Sequence, residues 1–292
     1  MNDVIMGACH LMDWPRCEAF AVSARRACPD ARVIVVGALH KEVAGTLLAL
    51  GCEISENDYL LDYTMLTGHP SNIRWWLFAD VLRRIRADRV FLTDTRDVVL
   101  QGDVFRHAPE RGILTPTEGR PIRETVVPFW EQFMKERLPG VSMETVLGWE
   151  MACPGNLLGS SEDILWYLKE QIRESTRWPR VIHSMGLNMP IHNRLVHCVA
   201  PDRFIRSGPD DGVFAILSAM PDDVQYDTVA GYTVLHAYDL RSGVRGRVCE
   251  NLGLKNDPAR WSLGPFCMGM SDVHGGWLQV GSEQRKREGA ES

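Results

Sequence analysis

The chain has 292 residues, 45% hydrophobic and 24% charged, with 25 Gly and 16 Pro, proportions that exclude collagen-like, low-complexity and disulfide-scaffold classes. Its 32 Lys and Arg against 38 Asp and Glu give a formal net charge of -6, which argues against a protein built to hold a nucleic-acid backbone while leaving room for a small anion on one or two local cations. No run approaches 18 consecutive apolar residues, so no membrane span is expected.

In chain order, Val4 to Ala8 is a short apolar run ending in the polar corner Cys9-His10. Residues 14–27 carry apolar positions at helical spacing (Trp14, Cys17, Phe20, Ala21, Ala24) and stop before Pro29. The β-branched run 32–37 reads as a buried parallel strand, and 41–50 as a helix closed by Gly51. Ser71-Asn72 is placed to cap a helix whose apolar face is Ile73, Trp76, Leu77, Val81 and Ile85; a third strand follows at 90–93. Strand, helix, strand, helix, strand predicts an α/β domain with a mostly parallel sheet, and ligands in such sheets bind in the loops at the carboxyl ends of the strands. Those loops are 8–13, 37–40 and 94–103.

The second half is less regular. Residues 111–115 read as a strand and 122–137 as a helix with an aromatic face. Residues 149–158 read as extended, and Ser160-Ser-Glu-Asp163 as a helix start before the stripe Ile164, Leu165, Leu168, Ile172. Segments 212–217 and 232–236 read as further strands. With no internal repeat or low-complexity linker, the expected organisation is one domain over 1–281, its nucleotide half about 1–110 and its acceptor half about 111–281, with a polar tail at 282–292. The eight cysteines form no C-x-x-C pair, so zinc-knuckle and thioredoxin-like motifs are unsupported. The opening M-N-D-V-I-M-G-A lacks a basic or long apolar run, so a cytoplasmic location is expected.

The most informative stretch is F-L-T-D-T-R-D-V-V-L-Q-G-D-V-F (91–105). Asp94 and Asp97 stand where a buried strand leaves the sheet, and hard oxygen ligands there suit Mg²⁺ or Mn²⁺, with a diphosphate completing the coordination shell. The bland alternative is a pair of loop acids bonded to Arg96 or a neighbouring helix. Arg74, in the first turn of the helix before this strand, is placed to meet a phosphate, or is a surface arginine.

The runs I-R-W-W-L-F-A-D-V-L (73–82) and R-V-F-L-T-D-T-R-D-V-V-L-Q-G-D-V-F (89–105) resemble the donor-binding region of GT-A-type glycosyltransferases, in the subgroup with the pattern L-T-D-x-R-D-V-x-F-Q-x-D-P-F. Three further pieces follow in order: C-P-G-N-L-L-G-S-S (153–161) is similar to C-S-G-x-x-x-G-S, M-G-L-N-M-P-I-H-N (185–193) to G-x-D-Q-x-x-H-N, and V-L-H-A-Y-D (234–239) to V-H-Q-Y-D. The resemblance covers most of residues 3–240. It implies a Rossmann-like domain with helices on both faces that moves a sugar from a uridine or guanosine diphosphate sugar to an acceptor it does not identify. Carried over residue by residue, it assigns Asp94, Asp97 and His236 to a divalent metal and Arg74 and Asp94 to the donor. Ala8, Cys9 and His10 would border the base and ribose, and Gly155 and Asn156 the donor sugar.

Two positions depart from the pattern. Asn188-Met189 stands where the subgroup has D-Q, and an amide there supplies no general base; Asp94 and Asp97 are three apart, not the two of a D-x-D triplet. Asn188 and Asp239 are the candidate catalytic positions, with Tyr238-Asp239 also placed to orient His236. Trp149, Glu150 and His192 are the candidate acceptor contacts, although His192 reads equally as a structural histidine and the pair Trp75-Trp76 as core. The alternatives are a non-catalytic nucleotide- or sugar-binding relic, kept open by Asn188, and a sugar-phosphate nucleotidyltransferase. The loop Gly7-Ala-Cys-His-Leu-Met-Asp13 argues against the latter, having one glycine and no Lys or Arg before Arg16.

Overall fold

Short runs of buried apolar residues become the central strands of an α/β unit. The computed structural model describes residues 1–9, 14–56, 70–124, 141–177 and 188–256. Asp3–Ala8 (β1) leads to helix Trp14–Ala27 (α1), strand Arg32–Gly37 (β2), helix Lys41–Ala49 (α2) and strand Glu53–Glu56 (β3). Helix Pro70–Arg84 (α3) then feeds Arg89–Asp94 (β4). These four strands lie in the order β3-β2-β1-β4, all parallel, with Val4, Ile5, Val33, Val90 and Phe91 fully buried as a two-sided parallel sheet requires.

The chain winds outward from β1 to β3 and then crosses to the other side of β1 to lay down β4. That reversal opens a crevice between the carboxyl ends of β1 and β4, where Ala8 lies in register with Asp94.

Beyond β4 the sheet continues antiparallel. Val98–Leu100 (β5) leaves it, and Ile113–Pro121 (β6), Glu150–Ala152 (β7), Asn156–Ser160 (β8) and Phe204–Ser207 (β9) extend it as β4-β8-β6-β7, with β9 parallel to β6. Phe214–Ile216 (β10) and Val234–His236 (β11) join β5 in a second sheet, ordered β10-β11-β5.

Among the described residues five α-helices are added in this half: Met143–Gly148 (α4), Ser161–Thr176 (α5), Asn188–Arg194 (α6), the single turn Tyr226–Val229 (α7) and Ser242–Leu252 (α8). One face of the main sheet is packed by α3, α5 and α6 through Trp75, Phe78, Leu82, Ile164, Tyr167 and Ile191. The other is packed by α1, α2 and the small sheet through Phe20, Leu47, Val98, Phe214 and Val234. Helices therefore lie on both faces, as the sequence predicts.

Several expectations shift in detail. Helix α3 starts at Pro70, so Ser71 and Asn72 lie in its first turn and do not cap it; proline there has no N–H to leave unpaired. Sandwiched between the sheet and α5, α3 buries Trp75 deeply and leaves Trp76 half-buried, a broader apolar face than the five-residue stripe. The stretch 149–158 is two strands, because Pro154-Gly155 makes a turn between them. Of the helix expected at 122–137, Ile122–Glu124 forms one tight turn and the remainder lies outside the described residues, as do His10, the boundary at 281 and the tail 282–292. Strand β3 and helix α8 were not foreseen; α8 carries two glycines and buries only Val244, Val248 and Cys249, too sparse a stripe to register.

Candidate metal and donor site

Asp94 ends β4 at the crevice, and the turn Thr95-Arg96-Asp97 carries the chain into β5. Thr95 ties this turn to β1 by donating its hydroxyl to the Ala8 carbonyl at 2.6 Å. Strand β5 pairs antiparallel with β11 so that Val98 faces His236, which sets the imidazole beside Asp97. The ligand atoms of Asp94, Asp97 and His236 all lie within 4.8 Å of one another. His236 Nε2 is 3.5 Å from Asp94 Oδ2 and 3.7 Å from Asp97 Oδ1. Ligands about 2.1 Å from an octahedral ion lie roughly 3 Å apart when adjacent and about 4.2 Å when opposite, so this spacing leaves room for a cation among the three. Two carboxylates and one imidazole form a hard-to-borderline donor set that suits Mn²⁺ or Mg²⁺.

The chain turns sharply after His236. Ala237 adopts φ 58°, and among the described residues no other non-glycine has a positive φ; holding alanine there costs roughly 1–2 kcal/mol. The turn brings the Tyr238 N–H to the Asp97 carbonyl at 3.4 Å, locking β11 to the loop that carries Asp97. Burial alone would favour a neutral His236, but Cys153 and Asp97 outweigh it and push the imidazole pKa up to about 9.

Arg74 reaches the same point from α3. Its guanidinium pairs with Asp94 Oδ1 and lies over the Trp75 ring at 4.4 Å. Burial pulls its pKa down to about 10, which leaves it charged at neutral pH. Breaking a buried ion pair costs about 3–5 kcal/mol; because 28% of the Asp94 side chain is exposed, roughly 2 kcal/mol is expected here. Arg74→Leu should therefore lower the melting temperature by several degrees, while binding of Mn²⁺ alone tightens because a cation no longer competes for Asp94. Thermal unfolding and calorimetric Mn²⁺ titration of the variant check both signs.

Gly155, in the turn before β8, and Asn156, the first residue of β8, meet the site, and Thr93 of β4 is paired directly with Asn156. A Cβ on Gly155 would lie 2.7 Å from Asp94 Oδ2 and closer still to His236 Cε1, so glycine is required for the triad to close. The Asn156 amide is fully buried, 3.0 Å from His236 Nδ1. Cys153 Sγ lies 3.6 Å from the same nitrogen. Neither Cys153 nor Thr93 stood out in the sequence as a neighbour of the metal ligands.

The other candidates are placed as follows. Ala8 is half-buried at the crevice, but the Cys9 thiol is buried in the α1-side core while its N–H donates to the Val36 carbonyl at 2.9 Å. Tyr238-Asp239 does not orient His236: Asp239 pairs with Arg96 at 3.3 Å, and Nδ1 is covered by Asn156 and Cys153. Burial first and then Asp97 push Asp239 up to about 6, against Arg96.

His192 fits the structural one of its two readings. It is fully buried, with Thr115 Oγ1 at 3.1 Å and Tyr167 Oη at 3.0 Å from its two ring nitrogens, and burial pushes its pKa down to about 3. Asn188, also buried, opens α6. Asn193, one residue after His192, clamps Ala152 by exchanging hydrogen bonds of 2.9 Å with its N–H and carbonyl, which holds β7 just before the Cys153 turn. Trp149 stacks on His197 with centroids 4.8 Å apart, and Glu150 accepts from Thr117 at 2.7 Å; both side chains are half-buried.

No family model and no curated protein sequence matches the chain. Among solved structures, it is similar to the galactosyltransferase LgtC in complex with donor and acceptor sugar analogs, with TM-score 0.53 and 16% identity over 88% of this chain and 98% of that one. An active-site mutant of LgtC aligns with TM-score 0.53 and 15% identity over the same shares. The apo-form glycosyltransferase GlyE of Streptococcus pneumoniae TIGR4 aligns with TM-score 0.51 and 12% identity over 89% of this chain and 62% of that one. At these identities the likeness is one of fold, and the chain has the GT-A-type glycosyltransferase fold.

Proposed function

We propose that this protein is a divalent-metal-assisted glycosyltransferase that takes its sugar from a uridine or guanosine diphosphate sugar. The observation that carries the reading is the convergence of Asp94, Asp97 and His236 at the switch point of this sheet. A Mn²⁺ or Mg²⁺ ion held by those three side chains, when bound, neutralises charge that develops on the departing diphosphate. Arg74, freed from part of its pairing with Asp94, adds a fixed positive charge beside the same oxygens. Ala8 and the backbone of Cys9 border the nucleoside, and Gly155 leaves the approach to the triad open. Residues beyond 110, including the Trp149 and Glu150 wall, form the acceptor half of one domain; orienting the acceptor hydroxyl and excluding water fall to that half.

Incubating the protein with UDP- and GDP-sugars and Mn²⁺, and measuring release of nucleoside diphosphate, tests the reading. Metal-dependent release from one donor class supports it; binding without release for every donor indicates a non-catalytic nucleotide-binding protein.

His236 sets the expected pH dependence. Below about 9 the metal-free imidazole carries a proton that coordination must expel. Mn²⁺ affinity should thus rise with pH, by roughly 10-fold per unit between pH 7 and 9, and level off above. Calorimetry in buffers of different ionisation enthalpy should show close to one proton released per ion at pH 7.

A further inference from the structure

His236 has two ring nitrogens, and only one can serve the ion. Nε2 faces the acids, at 3.5 Å from Asp94 and 3.7 Å from Asp97. For Nε2 to offer a lone pair, the single proton of the neutral ring must sit on Nδ1, and a buried N–H there needs an acceptor. Among the described residues, two polar side chains contact Nδ1: Asn156 at 3.0 Å and the weaker partner Cys153 at 3.6 Å.

The Asn156 amide has its nitrogen toward Nδ1 and its oxygen toward Thr93 Oγ1, at 2.9 Å. A half-turn of the amide exchanges the two atoms without moving the backbone. Thr93 accommodates either orientation, because a hydroxyl both donates and accepts. Its hydrogen already has an alternative acceptor in the Asp94 carbonyl at 3.1 Å, so the oxygen is free to accept from the turned amide. The turned arrangement is a continuous relay: Nδ1–H donates to the Asn156 oxygen, the Asn156 nitrogen donates to Thr93, and Thr93 donates to the Asp94 carbonyl. Asn156 and Thr93 are locked opposite each other in the β4–β8 ladder, and both are buried.

Resting on the metal reading of the triad, we infer that Asn156, backed by Thr93, is the positioning residue that selects which nitrogen of His236 faces the cation. With its oxygen toward the ring, the amide accepts from Nδ1–H and leaves the Nε2 lone pair to the cation.

Calorimetric titration of the full chain with Mn²⁺ alone tests this in the wild type, Asn156→Leu and Asn156→Asp. Asn156→Leu should weaken Mn²⁺ roughly 10–100-fold, the usual effect of losing such a partner. Asn156→Asp, which keeps an acceptor at Nδ1, should bind at least as tightly as the wild type. Long-range ¹H–¹⁵N spectra of the Zn²⁺-loaded wild type should show the His236 proton on Nδ1. Unchanged Mn²⁺ affinity in Asn156→Leu, or a proton on Nε2, overturns the inference while leaving the metal site intact. A wild type that binds no Mn²⁺ overturns both. Should Asn156→Leu fail to fold, Thr93→Val carries the test: a several-fold loss supports the relay, and unchanged affinity overturns it.

Discussion

Asp97→Ala should abolish metal-dependent nucleotide binding and lower turnover by two to three orders of magnitude without destabilising the fold. Asp97 is one of the two carboxylates in the triad, and its loss leaves Asp94 and His236 as the remaining ligands. Losing a Lewis-acid site is worth several kcal/mol in the transition state, and each 1.36 kcal/mol is about tenfold in rate. Stability should change little. Asp97 helps to push Asp239 up to about 6, so at pH 7.5 Asp239 is charged in a place where burial and Asp97 both oppose that charge. An acid whose folded pKa is raised destabilises the protein above its unfolded pKa, reaching the full cost once pH exceeds the folded value. Removing Asp97 relieves part of this but also takes away a carboxylate that favours charged His236, so the two changes oppose and the metal-free variant should melt close to the wild type. A variant inactive only because it is unfolded would melt far below it.

Gly155→Ala should damage the same site by steric means. The added methyl would approach Asp94 Oδ2 to 2.7 Å and His236 Nδ1 to 3.0 Å, with His236 Cε1 closer still. The hydrogen bond from the Asp94 N–H to the Gly155 carbonyl, 3.0 Å, holds the two backbones together, so the ring and the carboxylate must give way. Overpacking of this kind costs about 1–3 kcal/mol, a loss of several degrees in melting temperature. Mn²⁺ affinity should fall by more than 100-fold, because two of three ligands move together. Calorimetry and thermal unfolding read both effects. Wild-type affinity in this variant would show that the metal is held elsewhere.

Much of the first hundred residues was legible because its signals are local. The runs at 4–8, 32–37 and 90–93 are continuous and apolar, as two-sided burial demands, and β1, β2 and β4 form there. Asp94 at the end of the third run, Arg74 in the helix before it and His236 in a distant strand converge as the resemblance implies.

The parts that escaped depend on pairing between residues far apart in the chain. Nothing in the sequence around Val98 indicates that it will face His236, or that Thr93 will face Asn156. The resemblance places Asn156 near the donor sugar; the contact of its amide with His236 was not foreseen. The structural reading of His192 named no partners, because they come from distant segments. Its burial follows from Tyr167 on α5 and Thr115 on β6 packing over it. Helix α8 escaped because two glycines dilute its pattern although packing against α1 holds it in place.

The measurement that bears most directly on the central claim is a thermal-shift matrix of uridine and guanosine diphosphates, with and without Mn²⁺, on the wild type and Asp97→Ala. A ligand that binds only the native state at about 100 times its Kd adds about 2.7 kcal/mol, a shift of several degrees. The expected result is stabilisation by one of the two nucleotides, present only with Mn²⁺ and absent in Asp97→Ala. Stabilisation that persists without metal or in Asp97→Ala, or no shift with either nucleotide, would contradict the assignment of Asp94, Asp97 and His236 as the metal centre of a nucleotide-sugar site.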